Sequence, residues 1–226
     1  MTVTTLDEGF PAEPHPEAHG ETAGDRHRKE QIALWLFIAG DAVLLVLEVF
    51  TWIYTRALDT DGMWRGAACT AANPCTNGLG GSITHEVAKA NPWYSVGVLA
   101  LVAVAAALLA SSERSARERS GQRIVSNIAA MALVALLAGI ALQCYQFTVL
   151  PFTTVDGTYA SAFEFFMGST LAHLLVLGFI TLGVWNRARL GRYGDGHWQQ
   201  LRLIRIFGVW IAASIAVLVF VMSVFS

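Results

Sequence analysis

Residues Tyr159–His173, YASAFEFFMGSTLAH, and the apolar run LLVLGFITLGVW that continues to Trp185 decide the fold. At a rise of about 1.5 Å per residue, some 20 apolar residues cross the hydrocarbon core of a bilayer, so this stretch reads as a spanning helix. It nevertheless carries Glu164 and His173. Lipid penalises both, and ionisable groups inside a spanning helix face protein or water and mark functional sites.

Working outward, the whole chain has the same character. It holds 226 residues, 54% of them hydrophobic and 14% charged, with a mean hydropathy of +0.50. Soluble domains carry about 25% charged residues. The deficit is concentrated in five apolar blocks, which predicts an all-α, polytopic membrane protein with helices at about 32–54, 93–110, 124–147, 159–185 and 206–225. A net charge of −2 offers no basis for nucleic-acid binding, and there is no phosphate loop, no Ser-His-Asp pattern and no internal repeat.

Residues 1–30 hold three prolines and seven acids and lack the apolar content for a core, so they are expected to be a disordered tail. They do not read as a signal peptide, because the first apolar block begins only after thirty residues. His15 and His19 in this tail are possible metal ligands, although a solvated tail explains them as well. Trp35, Trp52 and Tyr54 stand near the ends of the first block, where interfacial aromatics gather. The second block is almost entirely Ala, Val and Leu, which suits close helix contact.

The distribution of Lys and Arg orients the chain. Three lie in the tail (Arg26, Arg28, Lys29), four after the second block (Arg114, Arg117, Arg119, Arg123) and five after the fourth (Arg187, Arg189, Arg192, Arg202, Arg205). Only Arg56, Arg65 and Lys89 fall on the other side. The positive-inside rule therefore puts the N-terminus in the cytoplasm and the C-terminus outside. The long segment 55–92 then faces outside, where disulfides persist. Cys69 and Cys75 are expected to pair there; a metal site of Cys69, Cys75 and His85 is the alternative. Cys144 is expected to be a buried thiol.

The polar groups inside the blocks are the candidate site. Asp41 lies near the middle of the first helix and His173 near the middle of the fourth. Glu48 follows Asp41 by seven residues, nearly two turns, so both carboxylates share a face. Glu48, Gln143, Gln146 and Glu164 are expected at a second level, nearer the outside. None of the five runs contains Lys or Arg, which leaves His173 as the sole possible cationic partner. A proton-linked or quinone-linked site is one reading, and neutral hydrogen-bonded groups that join helices or hold a lipid head are the other. A two-histidine haem has no support, since His85 and His197 fall in opposite loops.

Three motifs resemble subunit III of the haem-copper cytochrome oxidases. Tyr159, Ser161, Phe163, Gly168 and His173 fall on that family's Tyr-Gly-Ser-x-Phe…Gly-x-His-Gly-x-His, with Ala160 for a Gly, Glu164 for an aromatic and Thr170 for the first His. Trp35–Asp41 is similar to its Trp-Leu-x-x-x-Ser-Glu, and Gln143–Phe147 to its Gln-x-Tyr-Glu-Tyr, with Gln146 for the Glu. The fifth block departs from the family: of its Trp-His-Phe-x-Asp-x-x-Trp only the last residue survives, as Trp210, with Phe207 in place of the Asp. The family's shorter members keep five helices in the same orientation.

The resemblance implies an accessory subunit of a bacterial plasma-membrane terminal oxidase, or of a related nitric oxide reductase complex. Such a subunit has no redox centre of its own; haem and copper reside in partner subunits. It packs on the catalytic subunit, binds lipid and supports proton uptake and stability. Asp41 would stand for the family's buried Glu, and His173 would sit on its lipid-cleft helix. A small proton-coupled transporter relaying through Asp41, Glu48, Glu164 and His173 is a rival, as is a membrane subunit of another metal-dependent oxidase or monooxygenase.

Overall fold

A computed structural model of the chain describes residues 23–59, 64–66, 69–76, 82–118, 121–193 and 198–225. The expectations for residues 1–22, with His15 and His19, and for His197 lie outside the described residues. Five long helices make up almost all of the described structure: α1 (Ala23–Ala57), α2 (Pro92–Arg117), α3 (Gln122–Thr148), α4 (Thr158–Arg189) and α5 (Gln199–Val224). Each contains a stretch long and apolar enough to cross a membrane. The segment between α1 and α2 holds a two-residue antiparallel pair, β1 (Cys75–Thr76) with β2 (Ser82–Ile83).

The helices outrun their apolar blocks. Residues 23–30, expected to be disordered, form the first turns of α1, and Ser111–Arg117, expected in the loop after the second block, continue α2. Hydropathy marks the lipid-facing length of a helix, whereas Glu, Arg and Ala propagate a helix into water. The ends are set by local chemistry. The Asn91 side chain accepts the Trp93 N–H at 3.1 Å, and Pro92 fills the first helical position. Past the end of α4, Gly191 takes φ 77°, and the Gly191 and Arg192 N–H groups close back on the Ala188 and Arg187 carbonyls.

α2, α3, α4 and α5 form the packed body, with α1 laid against α4 and α5 and little of its surface buried. Apolar burial does not drive helices together in lipid, so close packing must. Gly208 illustrates this: a Cβ there would sit 3.3 Å from Leu109, over Ala106 of α2.

Two ends of the body are pinned by side chains. At the arginine-rich end, Gln122 of α3 donates to the Gly191 carbonyl at 2.5 Å, Arg205 of α5 pairs with Glu113 of α2 at 3.1 Å, and Arg117 stacks on Trp198. At the other end, Trp52, Trp64, Phe152, Tyr159, Phe163 and Phe166 form one buried aromatic cluster. Trp52 is wholly buried in it and does not stand at the surface as an interfacial aromatic. The Tyr159 hydroxyl accepts the Ala90 N–H at 3.1 Å, and the Tyr159 N–H donates to the Trp64 carbonyl at 3.0 Å, which ties the long loop to α4. The C-terminus joins this end: the Phe225 carbonyl accepts from Trp52 and from Arg56.

Cys69 and Cys75 form a disulfide with a Cα–Cα distance of 5.3 Å. It consumes both sulfurs and removes them as thiolate ligands, while His85 is exposed beside Thr84. Cys144, expected to be buried, is exposed on the outward face of α3. An apolar run does not reveal which of its faces turns inward.

Candidate functional site

Asp41 joins three helices near their midpoints. Its Oδ1 lies 2.7 Å from His173 Nε2 of α4, and its Oδ2 accepts the indole N–H of Trp210 of α5 at 2.6 Å. The Asp41 and His173 side chains are 9% and 20% exposed, so the contact is largely shielded. The second imidazole nitrogen, Nδ1, lies 2.7 Å from the Ser169 carbonyl, one turn earlier in α4.

These partners settle the proton count. A carbonyl only accepts, so Nδ1 carries a hydrogen; an indole N–H only donates, so Oδ2 is an acceptor. One proton then lies between Oδ1 and Nε2. The pair is an imidazolium and a carboxylate or a neutral imidazole and an acid, and it has no net charge in either form. The second nitrogen's bond fixes the ring's orientation. Such a bonded, net-neutral pair carries far less desolvation penalty than a lone buried charge.

Glu48 belongs to the same site. It is 3% exposed, and with Asp41, Thr170, His173 and Ser214 it lines a small cavity of about 10 Å³ whose wall includes the exposed Leu44. The sequence reading separates it from Asp41 into an outer level; the cavity spans both. Ser214 donates to the Trp210 carbonyl at 3.0 Å, one turn earlier in the same helix.

The remaining polar candidates are dispersed. Gln143 donates to the Met167 carbonyl at 3.4 Å, across the α3–α4 contact. Gln146 donates to Ser95 of α2 at 3.0 Å. Glu164 bonds the Thr154 hydroxyl in the 3-10 turn ahead of α4. These three hold neighbouring elements together and share no common cavity with Asp41. Glu164 also precedes His173 by nine residues, or about 13 Å along the helix.

Comparison with known protein families finds no matching family model, and no curated protein matches the chain.

Sequence reasoning missed Trp210, Thr170 and Ser214 as members of the site. Trp210 and Ser214 are four residues apart in an otherwise apolar run, a spacing that puts both on one face and could have pointed to them. The Glu113–Arg205 pair was also unanticipated, because Glu113 lies beyond the expected end of the second helix at about 110; its side chain is only 3% exposed. Among the described residues, no three His, Cys, Asp or Glu side chains are arranged to hold a metal ion. A separate cleft of about 710 Å³ opens at the arginine-rich end, between apolar walls that include Phe179, Leu182, Trp185 and Leu203 and polar groups Glu30, Asn186 and Arg187.

Proposed function

We propose that the chain is a subunit III-like accessory subunit, without a redox centre, of a respiratory haem-copper terminal oxidase or a related nitric oxide reductase complex. One observation carries this reading. The two stretches that most resemble the family, Trp35–Asp41 and Tyr159–His173, end on the two residues that touch, Asp41 and His173. That two separate stretches of resemblance end on one buried contact supports reading them as parts of one site.

In this reading the protein spans a bacterial plasma membrane five times. The Arg-rich end faces the cytoplasm and the disulfide loop faces outside. The exposed face of α1, with Leu36, Val43, Leu47 and Phe50, packs on the catalytic subunit, which holds the haem and copper. The 710 Å³ cleft, apolar with a charged rim, suits a lipid chain and its head. Asp41, His173 and Glu48 tie α1 to α4 and α5 and support proton uptake by the neighbouring subunit. The electron donor and terminal acceptor act on other chains.

Purification from native membranes in a mild detergent tests the reading. Haem and copper should copurify with the chain, along with an oxidase or reductase catalytic subunit. Recovery of the chain alone, or with partners that hold neither, would overturn it.

A further inference from the structure

Asp41 and Glu48 are both buried acids on one face of α1, yet they are held differently. Both oxygens of Asp41 are engaged, by His173 and by Trp210. Oε1 of Glu48 has no hydrogen-bond partner, and neither has the buried hydroxyl of Ser169. The titratable groups that act on Glu48 are Asp41 from its own helix and His173 from α4; α5 faces it with Ser214. No Lys or Arg lines the cavity. An ionised carboxylate so placed would be buried without a cation of its own, since His173 is already committed to Asp41, and such a group neutralises instead.

The cavity between these groups has about 10 Å³ for the centre of a guest. That is room for one water, and buried waters take two to four polar partners. Glu48, Thr170 and the remaining lone pairs of the Asp41 and Ser214 oxygens offer that many, against walls of Leu44, Leu45, Ile215 and Leu218.

We propose that Glu48, held as a neutral acid, is the exchangeable proton site of this cluster, and that one water in the cavity relays its proton to the Asp41–His173 pair. In the step, the Glu48 O–H bond breaks and its proton joins the water. The water passes one of its own protons to a free lone pair of the Asp41 carboxylate, which then forms an O–H bond beside the His173 imidazolium. Glu48 is left as a carboxylate and the pair gains one positive charge, so total charge is conserved and the step reverses by the same path. The inference builds on the buried-acid part of the reading above and is independent of the oxidase assignment.

Infrared spectroscopy of the purified full-length chain in lipid nanodiscs tests it. The wild type should show the C=O stretch of a neutral carboxylic acid at neutral pH, shifted in heavy water. The band should vanish in Glu48→Gln, persist in Asp41→Asn, and move without vanishing in Glu48→Asp. A narrow O–H stretch from an isolated water, sensitive to heavy-oxygen water, should be lost with Glu48→Gln. Retained helical content in all three variants separates a lost acid from a lost fold. Absence of the acid band from the wild type, or its survival in Glu48→Gln, would overturn the assignment of the proton to Glu48. Absence of the isolated-water stretch from the wild type would overturn the relay. Because the isolated chain is measured, either result stands whether or not haem and copper copurify with it.

Discussion

Asp41 and His173 lie 132 residues apart in the chain and meet at 2.7 Å, with Trp210 closing on the other carboxylate oxygen at 2.6 Å. This three-way junction holds α1, the helix with the least burial, against α4 and α5. Asp41→Asn should fold and assemble normally: its carbonyl accepts from Trp210 and its amide donates to a neutral His173. Asp41→Leu leaves both partners unsatisfied and should lower stability by about 1–3 kcal/mol, with loss of partner subunits on purification. In the assembled complex, Asp41→Asn should slow oxygen consumption most at high pH, where protons are scarce. Matching pH profiles in wild type and variant, with subunit content equal, would leave Asp41 a purely structural role.

Trp210→Phe keeps the ring's bulk and removes the indole N–H. Leaving a buried acceptor without its donor costs about 1–3 kcal/mol, so the variant should unfold earlier by that order. In an Asp41→Leu background the same substitution should cost much less. A double-mutant cycle by detergent unfolding measures the coupling, and additive costs would show that the two side chains do not interact.

The buried carboxylate of Glu113 depends on Arg205, 3.1 Å away on α5. Arg205→Met should destabilise by about 1–3 kcal/mol, because it leaves the carboxylate without its donor while the 37% exposure of Arg205 lets water offset part of the loss. Replacing both residues, Glu113→Leu with Arg205→Met, should recover most of the loss. Thermal unfolding of the single and double variants checks this; a double variant no better than the single would refute it.

The Cys69–Cys75 bridge closes a short ring with a sequence separation of 6. Protein alkylated during lysis should yield the two cysteines in one oxidised peptide and Cys144 as the modified thiol. Loss of a cross-link of this length costs about 2 kcal/mol where unfolding releases the loop. Cys69→Ser should therefore leave the helices intact while making the segment between α1 and α2 more sensitive to protease.

Membrane orientation is checked with a reporter active only in the cytoplasm. Fused after Ser120 or Gly194, between α2 and α3 or between α4 and α5, it should be active. Fused after Ser226 it should be silent. The reverse pattern would place the disulfide loop in the reducing compartment and contradict the orientation read from arginine.

Composition and periodicity alone determined that the chain is helical, that five blocks can cross a bilayer, and which acids lie within them. Those properties are local: an apolar run of sufficient length has few other ways to satisfy its backbone in lipid. Proximity of Cys69 and Cys75 is likewise local, so their pairing could be foreseen. The tertiary structure decided which polar groups meet. Asp41, Glu48, Gln143, Gln146, Glu164 and His173 looked alike as polar residues in apolar runs, but helix rotation and tilt sent three to separate neighbours and brought three to one cavity. Rotation is set by side-chain packing, as where Gly208 admits Leu109 and Ala106, and hydropathy is nearly blind to it when every face is apolar. For the same reason Cys144 could not be assigned a side, and Trp210 showed its role only when α5 came to rest against Asp41.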